Sequence, residues 1–210
     1  MVVVAGPPGG GKSSCFPVRN AGIDWFNSDD RAAKLNNGSY HNIPPHIRTA
    51  AGKQLQQFIE DHIESRHSFA FENALRTPAC FHQMRLAKDL GFHVMMDYLA
   101  AGPVEEHLSR VANRAMLGGH SATERKLRDI YQNSMINLVT AFAESIRGTI
   151  DRLRIFDNSV RTDSPRLVLK IADGTPEQIS DMIPSWLETA LANSRYTIDN
   201  LRLLARSARP

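Results

Sequence analysis

Cysteine is scarce in this chain: Cys15 and Cys80 are the only two in 210 residues, and neither has metal-ligand spacing. Their scarcity excludes a disulfide scaffold and a cysteine-built zinc site, and it fits a reducing compartment. Long hydrophobic runs are missing too. No stretch reaches the length of a membrane span, and the apolar start lacks the basic flank of a signal peptide, so a soluble cytoplasmic protein with no membrane partner is expected. An excess of one charge is also lacking. Lys and Arg number 25 against 22 Asp and Glu, a formal net charge of +3. So small an excess is too slight to argue for nucleic acid on its own, and nucleic acid is not expected as a partner, although the charge suits an enzyme whose substrates carry phosphates. The histidines from His41 to His107 show no paired metal spacing and read as surface or satisfied core. The methionines read as core filler.

What the chain does have begins at its start. Val2, Val3, Val4 and Ala5 read as a buried parallel strand, and the residues that follow fit G-x-x-x-x-G-K-[ST] from Gly6 to Ser13 at every fixed position. Glycines at this spacing let the backbone turn its N–H groups inward around a phosphate, and a helix following the loop adds its positive end. Gly6, Gly9, Gly10, Gly11, Lys12, Ser13 and Ser14 are therefore expected to bind nucleotide. Lys12 reaches the β- and γ-phosphates of ATP, and the Ser13 hydroxyl ligates Mg²⁺.

Further along, apolar runs at 23–27, 68–71, 92–99, 153–156 and 166–171 read as strands. Helical patterns lie between them, at 46–64, 78–90, 103–117 and 124–147, and a helix with a polar tail is read from Pro176 onward. Alternating strands and helices predict an α/β fold, with a mostly parallel sheet of five to six strands flanked by helices. Ligands of such sheets lie beyond the carboxyl ends of the strands, where Asp29, Glu72 and Asn158 fall with the loop. Asp29 or, better, Asp30 also reads as the N-cap of a helix starting at Arg31.

Asn27, Ser28 and Asp29; Glu72, Asn73, Ala74 and Leu75; Arg110, Val111 and Arg114 leading to Gly118, Gly119 and His120; and Asp157, Asn158 and Ser159 follow the loop in that order. Together, over about residues 1–160, they resemble the zeta toxin family of P-loop kinases, whose characterised members phosphorylate a hydroxyl of UDP-N-acetylglucosamine. The resemblance implies a P-loop kinase domain over 1–190, with a helical lid at about 103–130 and a helical tail at 191–210. It implies Asp29 as the base that takes the acceptor's proton, and it places Asn27, Glu72, Arg76 and His120 about the acceptor. For Glu72, a second reading as an outer contact of Mg²⁺ stays open. Asn158 falls where the adenine would lie. Of the lid cations Arg110, Arg114, Arg125 and Arg128, two are expected to act on the phosphoryl group, with Arg114 and Arg128 assigned. An antitoxin protein is implied as a partner. The chain departs from the family's pattern at Asn73 and Ala74, where two threonines are usual, and at Ile130, where an arginine is usual. Two alternatives therefore stay open: a kinase for another acceptor (a nucleoside, an amino acid or a nucleic-acid end), and a nucleotide-dependent ATPase switch.

Overall fold

Three successive valines favour extended backbone, because branching at Cβ restricts χ1 and suits a pleated surface. In the computed structural model, which describes residues 1–116, 122–160 and 164–207, they form β1 (Val2–Ala5). The chain continues through α1 (Lys12–Cys15), a 3-10 turn at Val18–Asn20, β2 (Asp24–Phe26), α2 (Ser28–Leu35), α3 (Pro45–Ser65), β3 (Phe69–Asn73) and α4 (Ala79–Asp89). It ends with β4 (Met95–Ala100), α5 (Val104–Met116), α6 (Glu124–Ile146), β5 (Arg152–Asp157), β6 (Arg166–Ala172), β7 (Thr175–Ile179), α7 (Ser185–Leu191) and α8 (Ile198–Ser207). Among the described residues the strands form one seven-stranded sheet in the order β2-β3-β1-β4-β5-β6-β7. The pairings from β2 to β5 are parallel, and those of β5 with β6 and β6 with β7 are antiparallel. β1 lies between β3 and β4, so the loop after it opens at the point where the strand order reverses.

Alternation along the strands divides the core. Val3, Ala5, Phe69, Phe71, Met96, Tyr98 and Ile155 join the larger cluster, with Ile59 and Ile63 of α3, Phe81 and Met84 of α4, and Leu138 and Phe142 of α6. Val4, Ala70, Leu99 and Phe156 face the other way, under Cys15, Phe16 and Val18. On that second face Asp97 of β4 stands opposite Arg154 of β5 and accepts two bonds from its guanidinium, at 2.7 and 2.6 Å. Such a fork satisfies a buried carboxylate and holds the strand register. Both cysteines are free, and burial pushes the Cys80 thiol up to about 12. Among the described residues no helix is long and apolar enough to cross a membrane.

The α/β architecture is as expected, with one strand more. Residues read as the start of a helix at Pro176 form β7 instead. Asp173 and Gly174 both have positive φ, 46° and 77°, which is the twist a two-residue hairpin needs. Proline is tolerated because β7 is an edge strand. The tail is not wholly solvated either: Tyr196, Ile198 and Leu201 are buried in the larger cluster. Leu201→Ala should therefore lower the unfolding free energy by about 2–5 kcal/mol, the usual cost of a vacated core site. Urea unfolding followed by fluorescence and circular dichroism should still show one transition; a separate early transition would mark the tail as an independent unit.

Candidate active site

The loop between β1 and α1 has a shape only glycine permits at three of its positions. Gly6, Gly9 and Gly11 have φ of 133°, 82° and 99°. A Cβ on Gly9 would lie 2.6 Å from the His107 carbonyl oxygen, and one on Gly11 would lie 2.2 Å from Asn158 Nδ2. α1 is only four residues long, stopping at Phe16 before Pro17. Its dipole is correspondingly small, so loop amides and Lys12 would carry more of any phosphate binding than the helix end expected from sequence.

Lys12 is buried, at 7% exposure. Its Nζ donates to the carbonyls of Gly6 (2.8 Å) and Pro7 (3.2 Å) and stands 3.6 Å from a Glu72 oxygen. The other Glu72 oxygen accepts from Ser13 Oγ and from Asn27 Nδ2, each at 2.9 Å. Asn27 faces both ways, for its Oδ1 accepts the N–H groups of Asp29 (2.9 Å) and Asp30 (3.2 Å). It is thus the N-cap of α2, which begins at Ser28. Neither Asp29 nor Asp30 caps the helix, and the helix does not begin at Arg31: the amide side chain at the strand end reaches the free N–H groups first. Asp29 is left exposed on the first turn, while Asp30 accepts from the Tyr40 hydroxyl at 2.8 Å.

The turn after Glu72 is strained. Leu75 is fully buried with φ of 53°, a conformation that costs a branched side chain about 1–2 kcal/mol. Asn73 Oδ1 accepts its N–H at 2.7 Å and Asn137 of α6 donates to its carbonyl at 2.9 Å. Asn73 therefore has a structural task where the family pattern has threonine. Arg76, just beyond, is exposed.

On the other side of the loop, Asn158 is buried and donates from Nδ2 to the Gly10 carbonyl at 3.1 Å. Arg110 donates to the Asn158 carbonyl at 2.8 Å and to Glu106 at 2.7 Å. Burial would raise the neighbouring Asp157 carboxyl, but bonds from Ser159, Trp186 and Arg166 outweigh it and hold the group below the usual carboxylate range. Of the other lid cations, Arg128 pairs with Glu105 (3.0 Å) and Glu124 (2.8 Å), while Arg114 and Arg125 are exposed. Gly118, Gly119 and His120 lie outside the described residues. The structure thus brings together Lys12, Ser13, Asn27 and Glu72, and sets Asn158 and Arg110 against the loop.

His107 is the loop contact that sequence reasoning missed. Its Nε2 accepts the Ala101 N–H at 2.9 Å, Nδ1 lies 2.8 Å from the Pro8 carbonyl, and Tyr131 packs edge-on at 5.0 Å between ring centroids. Its place three residues before Arg110, on the same face of α5, was the available signal. Ser13 beside a carboxylate also suits Mg²⁺, which keeps several waters and takes few protein ligands when phosphates share it. Among the described residues no group of three or more His, Cys, Asp or Glu could hold a metal ion by itself.

Comparison with known proteins bears on the family and the fold. The family model described as "Zeta toxin" matches residues 1–164. A Haemophilus influenzae protein described as uncharacterized is 27% identical over 127 residues, covering 59% of this chain and 86% of its own. The crystal structure of AvrRxo1-ORF1:-ORF2 with ATP superposes with a TM-score of 0.66 at 16% identity, over 86% of this chain and 60% of that one. This chain therefore spans about three-fifths of the AvrRxo1 chain. The PezAT chromosomal toxin-antitoxin system of Streptococcus pneumoniae superposes with a TM-score of 0.60 at 14% identity, over 98% and 84% of the two chains. At such identities the likeness is one of fold.

Burial, reinforced by the charges of Lys12 and Arg110, drives the His107 imidazole down to about 4, although its bond to Pro8 opposes this. Between that value and the ~6.5 of an unfolded histidine the unfolded chain binds more protons, so stability rises with pH through this window. On acidification from pH 7 to pH 5, wild type should lose about 2 kcal/mol more unfolding free energy than His107→Asn. Urea titrations at the two pH values measure the difference.

Proposed function

The chain belongs to the zeta toxin family of P-loop kinases, and we propose that it transfers the γ-phosphoryl group of ATP, with Mg²⁺, to a hydroxyl of a small metabolite. UDP-N-acetylglucosamine is the acceptor we favour. The observation that carries this reading is the set Lys12, Ser13, Asn27 and Glu72, held together at the ends of β1, β2 and β3. In our reading Lys12 exchanges the Gly6 and Pro7 carbonyls for phosphate oxygens, and Glu72 keeps the Ser13 hydroxyl aimed at the phosphates. Mg²⁺ bound there supplies neutralisation of the charge that develops on the phosphate oxygens.

Asp29, exposed two residues beyond Asn27, orients the acceptor hydroxyl. The acceptor oxygen bonds to the γ-phosphorus as the bond to the bridging oxygen breaks, ADP leaves, and the proton passes to the Asp29 carboxylate. Proton loss is late in a loose phosphoryl-transfer transition state, so an ordinary carboxylate suffices. We assign Asn158 to the nucleotide and Arg76 to the acceptor, and the family pattern assigns His120 to the acceptor as well. Arg114 and Arg128 act from the lid, the latter on leaving Glu105 and Glu124. A small antitoxin protein is the partner we infer, since the PezAT structure is of a toxin-antitoxin system and the AvrRxo1 structure holds two proteins, ORF1 and ORF2.

A second reading keeps the chemistry and changes the acceptor. Asn73 is occupied with the Leu75 N–H, so the side chains the family usually presents after the glutamate are not available here. A different hydroxyl acceptor, such as a nucleoside, fits that departure.

ATP turnover with and without UDP-N-acetylglucosamine, in wild type and Asp29→Ala, tests the proposal. Transfer should depend on the acceptor and fall roughly 10²–10⁴-fold in Asp29→Ala, the range for losing a positioned base. Nucleotide affinity of that variant should remain within about threefold of wild type, whereas Lys12→Ala should lose it by tenfold or more, about 1.4 kcal/mol. Binding without transfer to this sugar would favour the second acceptor reading. Brisk hydrolysis indifferent to acceptor and to Asp29 would point to an ATPase switch.

A further inference from the structure

An anion-binding loop works only if its N–H groups face inward and its carbonyls are turned away. This loop has an unusual difficulty in meeting that condition, because Pro7 and Pro8 offer carbonyls and no N–H. The loop and α1 dispose of some of these oxygens themselves. The Pro7 carbonyl takes the Gly10 N–H and the Gly11 carbonyl takes the Cys15 N–H, bonds that do not depend on Lys12. The Pro8 and Gly10 carbonyls are instead held from outside, by His107 and by Asn158.

We propose that His107 is a positioning residue for nucleotide binding, turning the Pro8 carbonyl away from the phosphates, and that Arg110 does the same for Gly10 through Asn158. The inference rests on reading the loop as the ATP site. The geometry of the imidazole leaves one arrangement. Nε2 accepts the Ala101 N–H and so carries no proton, which makes Nδ1 the donor to Pro8. Arg110 lies three residues on, and its bond to the Asn158 carbonyl fixes the side chain that reaches Gly10. Both struts leave one face of α5 at successive turns, and an added Cβ on Gly9 would strike the His107 backbone. The loop and α5 are thereby one body.

Two substitutions separate the two ring nitrogens. Asn at 107 offers an N–H where Nδ1 stands and leaves the Ala101 N–H unpaired; Gln offers an oxygen where Nε2 stands and leaves Pro8 free. Mg·ATP affinity by titration calorimetry, with melting midpoints measured alongside, should show His107→Asn within about threefold of wild type and His107→Gln weaker by tenfold or more, about 1.4 kcal/mol, at a comparable midpoint. Equal affinity in wild type and both variants would overturn the proposal. So would losses in both that merely follow their midpoints, since those mark a structural role. Should neither variant fold, Arg110→Gln decides, being a change that leaves the imidazole and the loop's own residues intact: a fivefold or greater loss of Mg·ATP affinity supports the struts and unchanged affinity overturns them. Failure of wild type itself to bind Mg·ATP would overturn the reading of the loop, and this inference with it.

Discussion

Glu72 sits on β3 opposite Val4 of β1, so its carboxylate emerges beside the loop and not at its tip. From there it meets a hydroxyl and an ammonium from α1 and an amide from the end of β2. A carboxylate drawn this far out of water is tolerable only with its oxygens paired, and each partner here is itself held by another element. Asn27 is fixed by capping α2, and Lys12 by the carbonyls of Gly6 and Pro7. Three strand ends are therefore set relative to one another by a single charged group. Remove it and Lys12 loses its counter-charge, Ser13 its acceptor and Asn27 one of its two tasks.

The same arrangement accounts for what could be read from sequence. The loop was legible because its requirements are local: glycine at the corners, lysine and serine at fixed offsets, and a valine strand before them. Glu72 and Asn158 were legible as strand-end residues, since strands announce themselves by apolar runs. Contacts made across space by residues of ordinary appearance were hidden. His107 looks like any helix histidine until the fold places Pro8 and Ala101 at its two nitrogens. Asn27 could not be preferred over Asp29 or Asp30 as a cap without knowing where β2 stops. Pro176 misdirected the reading of β7, although Asp173 and Gly174 carried the hairpin signal. The lid arginines were undecidable for another reason: a long, flexible side chain takes whichever carboxylate or carbonyl lies within reach, as Arg128 does with Glu105 and Glu124 and Arg110 with Asn158.

The turn after Glu72 holds one strained residue. Leu75 holds a left-handed backbone while wholly buried, and it does so because Asn73 and Asn137 take its N–H and carbonyl. The second of these comes from α6, the long helix whose other end carries Arg125 and Arg128. The turn that follows Glu72 is thus anchored to α6.

The two rims of the sheet have a consequence for assembly. β2 is three residues long, and β7, at the far rim, carries Pro176 near its start and has α8 packed against it. Neither rim offers a long row of free N–H and C=O groups as a template, so recruitment by strand addition is disfavoured at both. A protein companion has to recognise helices and loops.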